Sequence, residues 1–248
     1  MKYLIAADIH ANLEAFQAVL NSAAFDQLII PGDLLGYGPF PNECVQLAVQ
    51  YGAIAVLGNH EAALIDPLRA DNFNPLARRA LDFTGTILRT ENLEYIKSLK
   101  YETIHDGFYV THGSPYQPER FDYLHGAQFR SAETHLAFKR LERLGITIAF
   151  AAHTHVPGIF TYRSHSVRYQ SLQPDLPVEL TGPGIYLINP GSVGQPRNLI
   201  PEAQCVIYDD AAGTVLLKAC SYSREAYQAK IQEYGLPDAL WQRLEKGI

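Results

Sequence analysis

The chain has 248 residues, and with 47% hydrophobic and 19% charged residues its composition is that of a globular protein rather than a disordered one. The formal net charge of −6 disfavours a broad basic surface for polymeric nucleic acid or for an anionic membrane, and three widely spaced cysteines disfavour a disulfide framework. No apolar run approaches the roughly 20 residues that span a bilayer. Residues 1–8 lack the features of a secretory signal, so we expect a first strand there and a cytoplasmic protein.

The first sixty residues alternate short apolar runs with patterns of helical period. The apolar runs predict strands at 2–7, 28–30 and 53–57, and the helical patterns between them predict helices at 11–20 and 41–50. Strands that alternate with helices in this rhythm indicate βαβ units and a largely parallel sheet.

Helices and two further strands are predicted in the middle of the chain. The helices are expected at 76–88, 91–99 and 131–144, and the strands at 108–111 and 146–151. With no internal repeat or interdomain linker, the sequence indicates a single domain over residues 1–248, with a helical, cap-like insertion at about 62–100.

The last ninety residues change in character. Short alternating segments predict antiparallel strands at 159–162, 185–188, 203–208 and 214–219, and a proline-rich surface loop is expected at 173–184. A pair of helices, at 224–233 and 237–245, closes the chain.

Polar side chains of the types that bind metals follow five of the predicted strands. They are Asp8 and His10 after the first strand, Asp33 after the second, Asn59 and His60 after the third, His112 after the fourth, and His153 and His155 after the fifth. Ligands of α/β sheets gather beyond the carboxyl ends of parallel strands, so we expect these side chains to meet at one rim.

The residue types at this rim suit a pair of metal ions. Carboxylate oxygen and imidazole nitrogen serve Mn²⁺, iron, Zn²⁺ and Ni²⁺, and two cations about 3.5–4 Å apart can clamp a phosphoryl group. Each motif alone has an ordinary explanation: Gly32-Asp33 is a turn, and Asn59 after Gly58 is a left-handed turn residue or a helix cap. The combination is far more specific, because all five motifs alternate with strands.

The order of these motifs resembles the calcineurin-like metallophosphoesterase superfamily, with its DxH, GD, GNH, H and HxH blocks between Asp8 and His155. The blocks at 32–39 and 189–194 are similar to those of its small bacterial and archaeal phosphodiesterase-like branch. The resemblance implies an α/β fold, a four-layer α/β/β/α sandwich of two mixed β-sheets flanked by helices. The Asp-Arg-Gly that follows the Gly-Asp block in Ser/Thr protein phosphatases is missing here, which disfavours a phosphoprotein substrate.

The resemblance also implies a ligand set and a reaction. One metal would be held by Asp8, His10, Asp33 and His155, and the other by Asp33, Asn59, His112 and His153. The reaction it implies is in-line attack on phosphorus by a metal-bridging hydroxide. Two divalent ions are expected as cofactors, Mn²⁺ first, with iron, zinc and nickel as alternatives.

Other residues near the motifs are assigned roles in the reaction. His60 would stabilise the phosphoryl oxygens or protonate the leaving oxygen, and Glu61 would either orient His60 or be a solvated charge. Asn12, Tyr37 and Arg197 are candidate substrate contacts, with a helix cap, loop packing and a surface charge as their respective alternatives.

The sequence thus predicts a hydrolase of small phosphodiesters, with phosphomonoesters or nucleotides as further substrates. The alternative from another class is a catalytically weak, metal-binding interaction scaffold of the same fold, and the presence of all seven ligand positions counts against it. Net acidity counts against a nuclease and no membrane partner is expected, while the sequence favours no particular oligomeric state.

Overall fold

The protein is described by a computed structural model that covers residues 1–248. Its twelve strands are β1 (Lys2–Ile5), β2 (Gln27–Ile30), β3 (Ile54–Ala55), β4 (Glu102–His105), β5 (Phe108–Thr111), β6 (Ile148–Phe150), β7 (Gly158–Arg163), β8 (Ser166–Ser171), β9 (Val178–Glu179), β10 (Ile185–Asn189), β11 (Ala203–Asp209) and β12 (Thr214–Cys220). Its eight α-helices are α1 (Leu13–Leu20), α2 (Pro41–Gln50), α3 (Asn59–Ile65), α4 (Pro75–Ile87), α5 (Thr90–Ser98), α6 (Ala132–Arg143), α7 (Glu225–Glu233) and α8 (Ala239–Gln242).

The strands form two mixed sheets of six. The first has the order β3-β2-β1-β11-β12-β9, in which β1, β2 and β3 are parallel. The second has the order β4-β5-β6-β10-β7-β8, in which β5, β6 and β10 are parallel. Each sheet therefore contributes three neighbouring strand ends to one rim. The sequence predicts five of these six; β10, which was expected to be antiparallel, is antiparallel to β7 but parallel to β6.

Three apolar layers hold the sheets and helices together. Tyr3 and Ile5 of the first sheet pack with Phe108 and Phe150 of the second. Phe16 and other buried residues of α1 and α2 cover the outer face of the first sheet. Residues of α6 cover the outer face of the second sheet. The four-layer α/β/β/α sandwich expected from the sequence is confirmed.

The predicted cap-like insertion divides between two packing environments. Ile96 of α5 belongs to the helical layer on the first sheet. Helix α4 packs instead with the C-terminal helices, where Ala77 and Ala80 contact a cluster that includes Tyr227 and Leu240. Only α4 and the turn before it therefore lie beside the rim, and their role as a cap stays a prediction.

Three short strands were not predicted from the sequence. Strands β4 and β8 are edge strands of the second sheet, and β9, two residues long, lies within the stretch expected to be a loop. The predicted strand at 53–57 is shorter, with only Ile54–Ala55 in regular pairing. No helix in the structure combines the length and apolar character needed to cross a membrane. The cytoplasmic location stays a prediction.

Candidate metal centre

Five side chains at the rim lie on backbone of unusual conformation. Asp8, His10, Asp33, His153 and His155 have positive φ angles of 50°, 49°, 52°, 69° and 60°, a region that non-glycine residues seldom adopt. The surrounding chain holds these conformations: the backbone N–H groups of Asp8 and His10 donate to the carbonyls of Gly32 (3.2 Å) and Asp33 (3.0 Å). Such strain clusters at functional sites, where it places side chains that regular structure would point elsewhere.

The segment after β10 supports this rim from below. Ser192 Oγ donates to the carbonyl oxygen of Asp8 at 2.8 Å, and the backbone N–H of Gly194 donates to the same oxygen at 2.9 Å. The block at 189–194 therefore supports the backbone that carries Asp8.

The two buried carboxylates each use one oxygen within the protein. Asp8 Oδ2 accepts from the backbone N–H of His153 at 3.2 Å, and Asp33 Oδ1 accepts from that of His60 at 3.0 Å. Their other oxygens face imidazoles: Asp8 Oδ1 lies 3.3 Å from His155 Nε2, and Asp33 Oδ2 lies 3.3 Å from His112 Nε2. Asp8 Oδ1 has no hydrogen-bond partner although it is buried. Buried oxygens are seldom left so, and a cation would satisfy it.

Three histidines are oriented by backbone carbonyls. The Nδ1 atoms of His10, His112 and His155 lie 3.0, 2.8 and 2.6 Å from the carbonyl oxygens of Leu35, Pro31 and Gln195. A carbonyl only accepts, so each Nδ1 carries a proton and each Nε2 points into the site. This is how metal-binding histidines are usually held.

The arrangement of nitrogen atoms favours cations between them. His10 Nε2 and His155 Nε2 are 3.3 Å apart, and both present a lone pair because their Nδ1 atoms are protonated. Burial lowers the pKa of both rings, so neither gains a proton that would bridge them. Two facing lone pairs repel each other, and a bound cation removes that repulsion. The donor set therefore fits a metal.

The predicted ligands fall into two groups. Asp8, His10 and His155 place one ligand atom each within 4.8 Å of one another, and so do Asp33, His112 and His153. A third group that meets the same criterion, His10, Asp33 and His60, links these two. Asn59 Oδ1 joins the second group at 3.2 Å from His112 Nε2. Asp33 Oδ2 also lies 3.7 Å from His10 Nε2, which places Asp33 between the groups. All seven side chains predicted as ligands are thus brought together.

The charges at the centre are strongly coupled. Burial raises the pKa of Asp8 to about 8. Burial alone would lower the pKa of His112, but the charge and hydrogen bond of Asp33, the charge of Asp8 and the Pro31 carbonyl together outweigh it and raise that pKa to about 9. Without a cation, protons therefore take up part of the role that a metal would have, namely balancing the buried carboxylates.

His60 lies over the centre at the start of α3. Its ring is 5.0 Å from that of His10 and 4.8 Å from those of Tyr37 and Phe73, between centroids. Burial lowers its pKa to about 4, and its Nδ1 has no hydrogen-bond partner. Gly36, with φ of +88°, packs so closely that a Cβ there would collide with this nitrogen. The His60 ring is thus held in place by packing, and its Nδ1 atom makes no hydrogen bond within the protein.

Glu61 has neither of the roles predicted from the sequence. It is fully buried, so it is not a solvated charge, and its oxygens accept from the backbone N–H groups of Asp33 (3.0 Å), Leu35 (2.7 Å) and Gly58 (2.8 Å). These bonds tie the loop after β2 to the start of α3 and do not reach the His60 ring. Glu61 therefore holds the loop that carries Asp33.

The three predicted substrate contacts lie in different settings. Asn12 is buried; its Oδ1 caps α1 by accepting from Ala15 N at 3.2 Å, and its Nδ2 donates to Gly194 O at 3.2 Å. Its alternative role as a helix cap is thus the one observed, and its amide is turned away from the site. Tyr37 and Arg197 do line the pocket beside the metal ligands.

The pocket is made of a small polar part and a larger cleft. The polar part has a volume of about 210 Å³ and is lined by Asp33, His155, Arg197 and Arg243 among others. The cleft has a volume of about 630 Å³ and shares Asn59, His60 and His153 with it, so the two are continuous.

Several pocket residues were not identified from the sequence. Tyr123 stacks on the ring of metal-ligand candidate His153 at 3.8 Å, Phe73 contacts His60, and Arg243 reaches the pocket from the C-terminal end of α8. None lies beside a recognisable motif. The one available signal is the pair Asn74-Pro75, which is typical of a helix start and places Phe73 and Asn74 at the end of a loop.

Comparisons with known proteins agree with this geometry. The family model described as calcineurin-like phosphoesterase matches residues 1–157. The uncharacterized protein MJ0912 of Methanocaldococcus jannaschii is 30% identical over 250 residues, which cover 98% of this chain and 97% of that protein.

Two solved structures are similar over the whole chain. A metallophosphoesterase from Sphaerobacter thermophilus is 36% identical, with a TM-score of 0.86 and coverage of 100% of this chain and 99% of that one. The hypothetical protein PH1004 from Pyrococcus horikoshii OT3 has a TM-score of 0.77 at 18% identity, covering 100% and 98%, and shows a shared fold. The chain therefore belongs to the calcineurin-like phosphoesterase family.

Proposed function

We propose that the protein hydrolyses small phosphodiesters with the help of two divalent metal ions, Mn²⁺ in the first place. The observation that carries this proposal is the convergence of seven oriented ligand side chains, in two groups that meet at Asp33, at the floor of a polar pocket. Phosphomonoesters and nucleotides are further substrates of the same chemistry.

The distances between these residues support two cation positions. Asp8, His10, Asp33 and His155 would hold one, and Asp33, Asn59, His112 and His153 the other, with Asp33 shared. When bound, such ions lower the pKa of water and offset the negative charge of a phosphoryl group during in-line attack.

The remaining residues of the pocket act on the substrate directly. Neutral His60 lines the pocket beside the ligands, and its imidazole would donate a hydrogen bond to a phosphoryl oxygen or to the leaving oxygen. Arg197 and Tyr37 line the same polar pocket and are proposed as substrate contacts. The continuous cleft would accommodate the ester group.

The orientation of the ligands weighs against the scaffold alternative. Three imidazoles fixed by backbone carbonyls and five ligands on strained backbone count against a scaffold that has lost its metals. The cleft also ends at the ligands, as the pocket of a hydrolase should.

Hydrolysis of bis-p-nitrophenyl phosphate in the presence of Mn²⁺ tests the proposal. We expect turnover, and we expect a chelator to abolish it. The Asp33→Asn variant should lose both bound metal and turnover. His60→Ala should retain metal and lose mainly turnover. Asp82→Asn, an exposed carboxylate on α4, is the matched control and should leave both unchanged. A chelator-insensitive activity, or none with any of the four metals, would refute the proposal.

A further inference from the structure

Two arginines from distant parts of the chain meet in the polar pocket. Arg197 follows the segment after β10, and Arg243 follows α8 near the end of the chain. Both line the same 210 Å³ pocket as Asp33, His60 and His155. Only Arg197 lies near a motif of the ligand set, and the family resemblance assigns no role to Arg243.

Neither guanidinium is paired with a side-chain carboxylate. Arg197 Nη2 donates to Gln195 Oε1 at 2.8 Å, while its Nε is buried and has no hydrogen-bond partner. Arg243 Nε donates to the carbonyl oxygen of Ile248 at 2.7 Å. Both residues line one pocket, and burial together with the positive charge of Arg197 lowers the pKa of Arg243. An anion bound between the two guanidiniums would offset this repulsion.

Both side chains are held in place by the surrounding structure. The guanidinium of Arg243 lies over the ring of Tyr37, 5.7 Å from its centroid, and its neighbour Leu244 is buried among the C-terminal helices. The backbone N–H of Arg197 donates to the carbonyl of His155 at 3.3 Å. The pair is therefore positioned relative to the metal ligands before any substrate binds.

The charge of the pocket exceeds what one phosphodiester can offset. The carboxylates of Asp8 and Asp33 balance only half of the charge of two divalent ions, and the two guanidiniums add to the surplus. A simple diester carries a single negative charge. Phosphate matches the planar, multiply donating guanidinium as well as carboxylate does, and a terminal phosphate carries up to two negative charges.

We propose that Arg197 and Arg243 bind a second phosphate group of the substrate, one that is not attacked. The preferred substrates would then be small phosphodiesters that carry an additional phosphate. This inference rests on the proposed function, and it specifies the substrate class.

A matched pair of substrates tests the inference. Thymidine 3′-(p-nitrophenyl phosphate) and its 5′-phosphorylated counterpart have the same scissile diester and differ only in the second phosphate. We expect the wild-type protein to prefer the phosphorylated substrate by about tenfold or more in kcat/KM, mainly through KM. Arg243→Gln and Arg197→Gln should each reduce that preference to below about threefold. Arg168→Gln, an exposed arginine on β8, is the control and should keep it.

A binding measurement separates failure of this inference from failure of the proposed function. Titration calorimetry with methylenebisphosphonate and methylphosphonate, which resist hydrolysis, should show tighter binding of the former, and this advantage should fall in Arg243→Gln. If no ester is hydrolysed but this binding pattern holds, the proposed function fails and the phosphate site stands. Equal kcat/KM values of the wild-type protein for the two substrates would overturn the inference. So would a substrate preference and a bisphosphonate binding advantage that both persist in Arg243→Gln and Arg197→Gln.

Discussion

Two glycines at the centre pack directly against side chains of the proposed site. Gly36 adopts a φ of +88°, and a Cβ there would collide with Nδ1 of His60. A Cβ on Gly58 would likewise collide with Oδ1 of Asp33. The Gly residues of these motifs thus matter as close neighbours of catalytic candidates as well as for their backbone freedom.

Substitution of Gly36 should therefore affect catalysis more than folding. Gly36→Ala is expected to displace the His60 ring and to lower kcat by about tenfold or more, with metal content retained. Gly52→Ala is the matched control, because Gly52 has a positive φ of 58° and open space around it. Gly52→Ala should lose about 1–2 kcal/mol of stability from backbone strain, and Gly36→Ala should lose more because its Cβ must also displace the His60 ring. Equal activity of the two variants in the bis-p-nitrophenyl phosphate assay would contradict the placement of His60.

The protonation of the centre predicts how metal binding depends on pH. With the pKa of His112 raised to about 9 and that of Asp8 to about 8, both groups hold protons at neutral pH without metal, and a cation must displace them. Because binding releases protons, apparent Mn²⁺ affinity should rise with pH, by about tenfold per pH unit for each proton displaced between about pH 6 and 8. Calorimetry in buffers of different ionisation enthalpy measures that release. An affinity that is constant over this range would show that the metal-free site is unprotonated.

At the scale of elements, the rim depends on how the loops after β2 and β3 are tied together. The Glu61 carboxylate accepts three backbone N–H groups from these loops, among them that of Asp33. Its contribution is therefore structural, and it acts on the centre only through the position of Asp33.

Glu61→Gln should destabilise the metal-free protein. An amide offers one acceptor oxygen, so at least one buried N–H loses its partner, at a cost of about 2–3 kcal/mol. Urea unfolding of the metal-free protein measures this loss. Glu91→Gln, an exposed glutamate in the first turn of α5, should cost less than about 1 kcal/mol. Similar effects in both variants would mean that the Glu61 bonds contribute little.

Burial separates the strands that are predictable from the sequence from those that are not. Buried strands such as β1 and β5 are continuous apolar runs, and they were recognised with the ligands that follow them. Strand β4 is a partly exposed edge strand with few apolar residues, so it lacks this signal. The pair Asp106-Gly107, a typical hairpin turn, connects it to β5 and is the local feature that indicates it.

The hairpin of β7 and β8 offered no such signal. Its turn is made by Ser164 and His165, with φ angles of 46° and 61°, where asparagine and glycine are the usual residues. Tertiary packing, rather than local preference, thus sets this conformation. The same holds for Tyr123 and Arg243, which reach the pocket from segments with no motif. Local sequence identified the ligands, and the walls of the pocket depend on how distant segments pack.

At the scale of the whole molecule, the cleft is formed by segments that only the complete fold brings together. Phe73, before α4, and Tyr123, after β5, lie on either side of His60 and His153. Tyr123 stacks with the rings of His153 and His125 and is still 48% exposed, so part of its ring remains open to an incoming group. The cleft is therefore suited to an aromatic or similarly flat ester group.

Removal of the Tyr123 ring should weaken binding of bulky diesters selectively. Tyr123→Ala is expected to raise KM for bis-p-nitrophenyl phosphate by about three- to tenfold, with a smaller effect on methyl p-nitrophenyl phosphate. Tyr123→Phe keeps the stacking face and serves as control. Equal losses on both substrates, accompanied by loss of metal, would show instead that Tyr123 acts by holding His153.

The central claim is that two cations share Asp33, and electron paramagnetic resonance of the Mn²⁺-loaded protein tests it most directly. We predict two Mn²⁺ ions per chain with a spectrum of exchange-coupled ions, and loss of that coupling in Asp33→Asn. One ion per chain, or two ions that are magnetically independent in the wild-type protein, would contradict the shared site.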